Sequence, residues 1–253
     1  MRFPKVLRTC SRSVRIGEEV VPYRVEWRRV KYPRLEFKTG NLLIILPPTY
    51  KSEISLLEEK KPWILEKYRI IKECLEKAGG SFCLFGEPFQ VKKGNGGMID
   101  FKKREIVYNP KNRAQLQKIR RILRDKLRAR ILEKIKEFGG ITGLHPSKIF
   151  IKRQRSKWAS CSSSGNLSFN LRLVFLPPRL IDYVVLHELL HLKFSRHNRD
   201  FWREVEKFFP DYRDLENDLL SYWFSTAKSG AWLFESVSSS NPPAFPTPDL
   251  KVP

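Results

Sequence analysis

The order of apolar and polar positions predicts a small antiparallel sheet at the start of the chain. Residues 24–30 alternate imperfectly between apolar and polar side chains, residues 35–38 continue the alternation, and residues 42–46 form an unbroken apolar run. A turn is expected at residues 39–41, between the last two strands. A second β-rich piece with glycine-rich turns covers residues 82–108.

Helical periodicity separates and follows these strands. Between residues 52 and 78, apolar side chains recur three and four positions apart, and Pro62 predicts two short helices or a kink there. The apolar stripe of residues 112–138 predicts a longer helix. Gly139 and Gly140 are expected to end that helix.

The second half of the chain predicts further strands and helices. Strands are expected at residues 148–153 and 167–173, with a serine-rich connection between them. A helix is expected to begin near Arg179, and two more follow, the second starting around Arg213. The tail, residues 236–253, is rich in Ser and Pro, which predicts disorder.

These elements predict an α+β fold with two domains. Residues 1–110 would form an N-terminal antiparallel β-rich domain with a helical segment near residues 52–78. Residues 111–235 would form the second domain, around the helix that begins near Arg179.

The most informative stretch of the chain is His187-Glu188-x-x-His191, followed by His197. On a helix, His187 and His191 share one face with Cβ atoms about 5–6 Å apart, so both imidazoles can bind one metal ion. Glu188 lies one position round, where its carboxylate can reach a water on the metal. His197 is far enough along for the chain to leave the helix and return as a third ligand. Three ligands and one open position are typical of catalytic zinc, so the sequence predicts one zinc ion per chain in a metallohydrolase.

Three other interpretations of this stretch are weaker. The histidines could be ordinary surface or core residues of a buried amphipathic helix. However, two imidazoles and a carboxylate in an apolar environment need a polar partner or a metal ion. The spacing of His187 and His197 also matches metzincins, which require Gly at the position of Phe194 and a downstream Met-turn; the chain has only Met1 and Met98. A downstream carboxylate, Glu204 or Glu206, is a minor alternative to His197 as third ligand.

Charge adds a second functional hypothesis. Lys and Arg number 49 against 27 Asp and Glu, which gives a net charge of +22 and predicts attraction to polyanions. The basic face of the helix at residues 112–138 is the candidate nucleic-acid contact, through Arg120, Arg121, Arg124 and Arg128. The alternative is an ordinary solvated surface.

The chain shows no feature of a membrane or secreted protein. Its longest apolar run, residues 42–48, is too short to span a bilayer, and the N-terminus lacks the apolar region of a signal peptide. The four cysteines include no C-x-x-C pair and are expected to be thiols. These features predict a cytoplasmic protein that does not contact membranes.

Several segments around the histidines resemble one known family. They are Lys157-Trp158-Ala159-Ser160-Cys161-Ser162, Asn170, Tyr183-Val184-Val185, His187-Glu188-Leu189, His191-Leu192, His197, Phe201-Trp202 and Pro210-Asp211-Tyr212. Together with Lys60-Lys61-Pro62-Trp63-Ile64, they resemble the YgjP-like metallopeptidases, a zincin-type group related to the WLM and SprT-like peptidases. The resemblance covers most of residues 20–225 and implies a zincin-like catalytic domain with an H-E-x-x-H active-site helix.

The resemblance also implies roles for individual residues. His187, His191 and His197 would bind zinc, and Glu188 would act as general base towards a zinc-activated water in peptide-bond hydrolysis. Ala159 departs from the Gly that the family usually has, a residue with more backbone freedom.

The expected substrate is a polypeptide held along a strand edge. The strand around residues 167–170 is the candidate edge, with Trp158, Phe169 and Asn170 as candidate substrate contacts. Kinship with SprT-like peptidases suggests proteins associated with nucleic acid. Two alternatives stay open: a zinc-dependent hydrolase of a nucleotide or phosphate ester, and a non-catalytic basic nucleic-acid-binding module.

Overall fold

The computed structural model describes residues 6–38, 41–76, 82–154, 157–229 and residue 233. The fold is α+β, with a β-rich N-terminal region followed by a region of helices around one further sheet. The predicted disordered tail, and Thr39 and Gly40 of the predicted turn, lie outside the described residues.

The first sheet is mixed, so the prediction of an antiparallel sheet was wrong for one strand pair. Its strands β1 (Val6–Ile16), β2 (Glu19–Arg28), β3 (Arg34–Lys38) and β4 (Asn41–Leu46) lie in the order β1-β2-β4-β3. The pairs β1/β2 and β3/β4 are antiparallel, whereas β2 and β4 run parallel. The reason lies in polarity: β4 is buried from Leu42 to Leu46 and takes a central position, which leaves the more polar β3 at the edge.

One continuous helix, α1 (Ile54–Glu76), with Pro62 inside it, follows this sheet, so of the two predicted outcomes the pair of short helices is wrong. Its buried stripe of Leu57, Ile64 and Ile71 holds the helix against the core. Pro62 lacks the N–H that would bond to the carbonyl of Glu58. Because Glu58 is exposed, water can replace that bond, and the helix continues.

Two small sheets come next, at residues 83–108. They comprise the hairpin β5 (Cys83–Leu84) and β6 (Glu87–Pro88), and the three strands β7 (Gln90–Lys93), β8 (Met98–Asp100) and β9 (Glu105–Tyr108). The second sheet has the order β7-β9-β8, with β7 parallel to β9. It is therefore a second place where the antiparallel prediction was wrong.

The longest helix, α2 (Arg113–Thr142), extends past the predicted end at Gly139 and Gly140. The Asn112 side chain caps its start, and Gly143 ends it in the left-handed conformation at φ 70°. Gly139 serves packing: a Cβ there would lie 2.9 Å from the carbonyl oxygen of Leu144. The glycine pair was wrongly predicted to end the helix. Glycine is favoured both where a chain reverses and where another segment packs closely, as it does at Gly139.

The last sheet and three helices complete the chain. Strands β10 (Lys148–Lys152), β11 (Ala159–Cys161) and β12 (Asn166–Asn170) lie in the order β10-β12-β11, and a 3₁₀ helix (Leu171–Phe175) follows. The helices are α3 (Pro178–Leu190), α4 (Arg199–Phe208) and α5 (Tyr212–Ser229). The strand predicted at residues 167–173 thus ends at Asn170, and β11 lies within the segment expected to be a connection.

One hydrophobic cluster includes residues from both halves of the chain, among them Val25, Ile64, Leu123, Leu186 and Trp223. The division near residue 110 stays a prediction. None of the helices in the described part of the chain is long and apolar enough to cross a membrane.

Candidate metal centre

The histidine motif lies at the C-terminal end of a buried helix. Helix α3 packs against α2, α4, α5 and β11, which explains its nearly continuous apolar sequence. His187 is in its last turn, and His191 is its C-cap, still in the right-handed helical region at φ −65°. Glu188 is only 8% exposed. Both imidazoles therefore extend from one rigid element.

His197 returns to this helix through a short loop. The chain forms a turn after Leu190, in which the N–H of Phe194 donates to the Leu190 carbonyl at 2.9 Å. It then turns into α4, whose start is capped by the Asn198 side chain. The loop places the His197 ring 4.8 Å from His187 and 4.7 Å from His191, measured between ring centroids.

The three histidines form a group that can hold a metal ion. One nitrogen from each lies within 4.8 Å of the others. The Nε2 atoms of His187 and His197 are 2.8 Å apart, and the Nδ1 of His191 is 2.9 Å from the Phe194 carbonyl oxygen. Since a carbonyl only accepts, His191 carries its proton on Nδ1 and keeps its Nε2 lone pair for a ligand.

The surroundings of His187 favour the neutral imidazole that a metal requires. Burial, and then the charges of His197 and His191, hold the pKa of His187 well below its ordinary value of 6.5. Within the described residues, its Nδ1 is buried and has no hydrogen-bond partner. Three imidazoles with nitrogens this close together, one of them neutral and buried, form a donor set that fits a bound divalent metal.

Aromatic rings hold the histidines in place. The ring of His191 stacks on Phe201 with centroids 4.9 Å apart, and Phe201 also contacts His187 and His197 edge-on. Phe201 is fully buried in the first turn of α4. The helix after the motif thus packs directly against all three candidate ligands.

A cleft with a cavity volume of about 370 Å³ opens beside the histidines. Its walls come from the segment around β11, from α3, from the loop after α3 and from α5. Of the three predicted substrate contacts, Trp158 lines this cleft, although its indole is 4% exposed and donates to the Leu219 carbonyl.

Asn170 and Phe169 lie in the core and not among the residues that line the cleft, and their assignment as substrate contacts stays a prediction. The Asn170 amide donates to the carbonyls of Gln154 and Lys157, at 2.9 and 2.7 Å, and its oxygen caps the following 3₁₀ helix. Asn170 therefore holds the chain that leads into β11.

The strand that was predicted to hold the substrate is not an edge strand. Strand β12 is paired on both sides, with β10 and with β11, and it has no free edge to offer. The edge beside α3 is β11, whose residues Ala159, Ser160 and Cys161 line the cleft. Ala159 occurs in an ordinary strand, so this position requires no Gly in this chain.

At the cleft, Tyr183 was named in the sequence only within the family resemblance, and Glu216 was missed. The Tyr183 hydroxyl donates to Oε1 of Glu216 at 2.5 Å, and both side chains line the cleft. Burial, and then the charge of Glu216, raise the pKa of Tyr183 well above 10.0, and burial raises the pKa of Glu216. Tyr183 precedes His187 by one helical turn, a signal that was available, whereas only folding brings Glu216 to this place.

The four arginines predicted to contact nucleic acid from α2 differ in their exposure. Arg121, Arg124 and Arg128 are exposed and lie along one face, three and four residues apart. Arg120 is half-buried, and its Nε donates to the Leu233 carbonyl at 2.5 Å. Arg120 thus makes a packing contact.

The chain was compared with protein-family models, solved structures and curated proteins. The family model described as "YgjP-like, metallopeptidase domain" matches residues 31–222. A solved structure, the metallopeptidase zymogen of Pyrococcus abyssi abylysin, is 27% identical over 36% of this chain and 92% of that chain, with a TM-score of 0.34. A comparison with curated proteins gives no match. The family match spans most of the chain and contains the histidine cluster, and the chain belongs to the YgjP-like metallopeptidase family.

Proposed function

We propose that the protein is a zinc-dependent peptidase in which Glu188 acts as the general base. The observation that supports this most is the convergence of three imidazoles and one buried carboxylate on a single cleft. Family membership supports a metallopeptidase and implies a divalent metal.

The donor set suits zinc. Imidazole nitrogen suits zinc, and three protein ligands leave the open position of a catalytic site. When bound, zinc supplies a Lewis acid that lowers the pKa of a coordinated water towards about 7 and polarises the substrate carbonyl. His187, His191 and His197 are the ligands we assign, one ion per chain.

We assign the proton transfers of the reaction to Glu188. It follows His187 in the last turn of α3, and its carboxylate lines the cleft while remaining 8% exposed. A carboxylate in that position accepts a proton from the attacking water and delivers it to the leaving amine.

The substrate we assign is a polypeptide in extended conformation. Strand β11 is an edge strand, and its residues line the cleft next to α3. A peptide can pair with this edge through main-chain hydrogen bonds, which places a carbonyl beside Glu188 without demanding one sequence.

The experiment combines metal analysis with one isosteric variant. Purified protein is expected to contain about one zinc ion per chain, and His191→Ala is expected to lose it. Glu188→Gln should retain zinc and fold but lose at least about 100-fold in peptide cleavage, because the general base is gone. Undiminished cleavage by Glu188→Gln would contradict the mechanism.

The same variant addresses the alternatives. A zinc-dependent hydrolase of a nucleotide or phosphate ester would hydrolyse those compounds and leave peptides intact. A non-catalytic module would hydrolyse neither, and Glu188→Gln would then behave as the wild type in every assay.

Recruitment to nucleic acid is a second candidate function, favoured by the exposed Arg121, Arg124 and Arg128 on one face of α2. Replacing all three by Gln should weaken DNA binding and reduce its dependence on salt concentration. The matched control replaces three exposed arginines of the N-terminal region, Arg15, Arg29 and Arg34. Equal losses in both triple variants would mean that only net charge matters. Such binding would place the peptidase among proteins associated with nucleic acid.

A further inference from the structure

One end of the cleft is built from a phenol and a carboxylate. Tyr183 comes from α3, one turn before His187, and Glu216 comes from α5. The Tyr183 hydroxyl donates a hydrogen bond to Glu216 Oε1 at 2.5 Å. Both residues line the cleft, together with the apolar side chains of Val184 and Leu219.

The hydrogen bonds leave this end of the cleft rich in acceptors. The Tyr183 proton is engaged by Glu216, so its oxygen presents lone pairs to a ligand. Glu216 has a second carboxylate oxygen, and an ionised carboxylate only accepts. The nearby Trp158 Nε1–H donates to the Leu219 carbonyl, and so this donor is also engaged. These contacts favour a group that donates hydrogen bonds.

The carboxylate of Glu216 has one lysine nearby. Lys67, on α1, lies close enough to lower the pKa of Glu216, but its ammonium bonds to Asn217 and, at 3.1 Å, to Glu66. Burial has the larger effect on Glu216 and raises its pKa. A buried carboxylate of this kind is stabilised when a cation arrives from the cleft.

The other charged residues of the cleft come from different elements. Lys157 precedes β11, and Arg196 lies in the loop between α3 and α4. Cationic and anionic side chains are thus contributed by separate walls.

We propose that Glu216 and Tyr183 form a subsite for a cationic group of the substrate, either a Lys or Arg side chain or a free amino terminus. The proposal rests on the proposed peptidase function and names its substrate class. An ammonium or guanidinium group would donate to the Glu216 carboxylate and to the Tyr183 oxygen. The aliphatic part of a long cationic side chain would pack on Val184 and Leu219.

The test measures peptide binding in zinc-loaded Glu188→Gln, which cannot consume the ligand. A set of labelled peptides carries Lys, norleucine or Glu at each position in turn, with a free or an acetylated amino terminus. Peptides with Lys at one position, or with the free terminus, should bind about tenfold or more tightly than their neutral counterparts. The two arms of the set identify which cation the subsite takes.

The decisive variant adds Glu216→Gln to the same protein. The Gln amide oxygen still accepts the Tyr183 hydroxyl, so the fold should be retained and only the charge is lost. We expect the preference for the cationic peptide to disappear while the neutral peptide binds as before. The matched control is Glu133→Gln, which removes an equal charge from an exposed position of α2 and should preserve the preference.

A second variant, Tyr183→Phe, keeps the ring and removes the hydroxyl. It should reduce the cationic preference partially, because the carboxylate remains. A preference that survives Glu216→Gln would overturn the proposal, as would equal binding of all the peptides or no binding of any.

Cleavage by the wild type is measured separately. Cationic preference without cleavage would refute the proposed function and leave the subsite standing. Cleavage without charge preference would refute the subsite alone.

Discussion

The imidazole of His197 stacks on the indole of Trp202, with ring centroids 5.4 Å apart and planes 27° apart. Trp202 stacks in turn on Tyr212, at 4.8 Å and 19°. His197 lies in the loop between α3 and α4, where no helix fixes its direction. The stack therefore fixes the orientation of the third candidate ligand.

Replacing Trp202 by Ala is expected to weaken zinc binding about tenfold or more, because residues that orient a ligand affect metal affinity to that extent. The measurement is a competition titration against a chromophoric chelator. Trp63→Ala is the control, since Trp63 packs on Phe37 in the N-terminal region. It should cost stability and leave zinc affinity unchanged. Equal zinc affinity in Trp202→Ala and the wild type would show that His197 needs no such support.

The pKa of His187 predicts how the metal-free protein responds to acid. It is lowered in the folded state, first by burial, so below pH 6.5 the unfolded chain binds a proton that the folded chain does not. Stability should therefore fall as the pH drops below 6.5, with a slope of at most about 1.4 kcal/mol per pH unit from this one proton.

Denaturant unfolding of chelator-treated protein between pH 5 and 7.5 measures this slope. The comparison is His187→Asn, which has no titrating ring. Its stability should depend less steeply on pH than that of the wild type. Parallel curves for the two proteins would mean that His187 is protonated equally in both states.

Asn170 is expected to affect stability more than substrate affinity. Asn170→Ala removes hydrogen bonds to the Gln154 and Lys157 carbonyls and the cap of the 3₁₀ helix, and should lower the free energy of unfolding by about 2 kcal/mol or more. Asn166→Ala, on the same strand but with an exposed amide contact, should cost less than half as much. A large rise in KM without loss of stability would support the prediction that Asn170 contacts the substrate.

The neighbouring glycines of α2 should respond to Ala in opposite ways. At Gly140 a Cβ would meet nothing within 4 Å, so Gly140→Ala should stabilise the protein by about 0.5–1 kcal/mol. At Gly139 the Cβ would lie 2.9 Å from the Leu144 carbonyl oxygen, and Gly139→Ala should be destabilising. Thermal unfolding of both variants checks the pair. Destabilisation by Gly140→Ala would contradict a helix that continues to Thr142.

The parts of the site that were predicted depend on local spacing. His187 and His191 share a helix face because they are four residues apart, and His197 was identified by its spacing after them. The helix around the motif was predictable as well, since its apolar sequence requires burial from several sides. Local chemistry and helical geometry were sufficient for these residues.

The parts that were missed or misassigned depend on contacts between distant segments. Strand β12 looked like a substrate edge until its pairing with both β10 and β11 was known. Glu216 is one of several acids on α5, and only the packing of α5 against α3 brings it to Tyr183. Asn170 carries the same amide whether it binds substrate or backbone, so its partners had to be observed.

The position of His187 and His191 at the C-terminal end of α3 also has an electrostatic consequence. The peptide dipoles of a helix leave partial negative charge at that end, which stabilises cations and disfavours anions within about one turn. The helix that supplies two candidate ligands thus adds its own field to the attraction of the metal. The same field opposes phosphate at this position, in contrast to the phosphate sites that proteins build at helix N-termini.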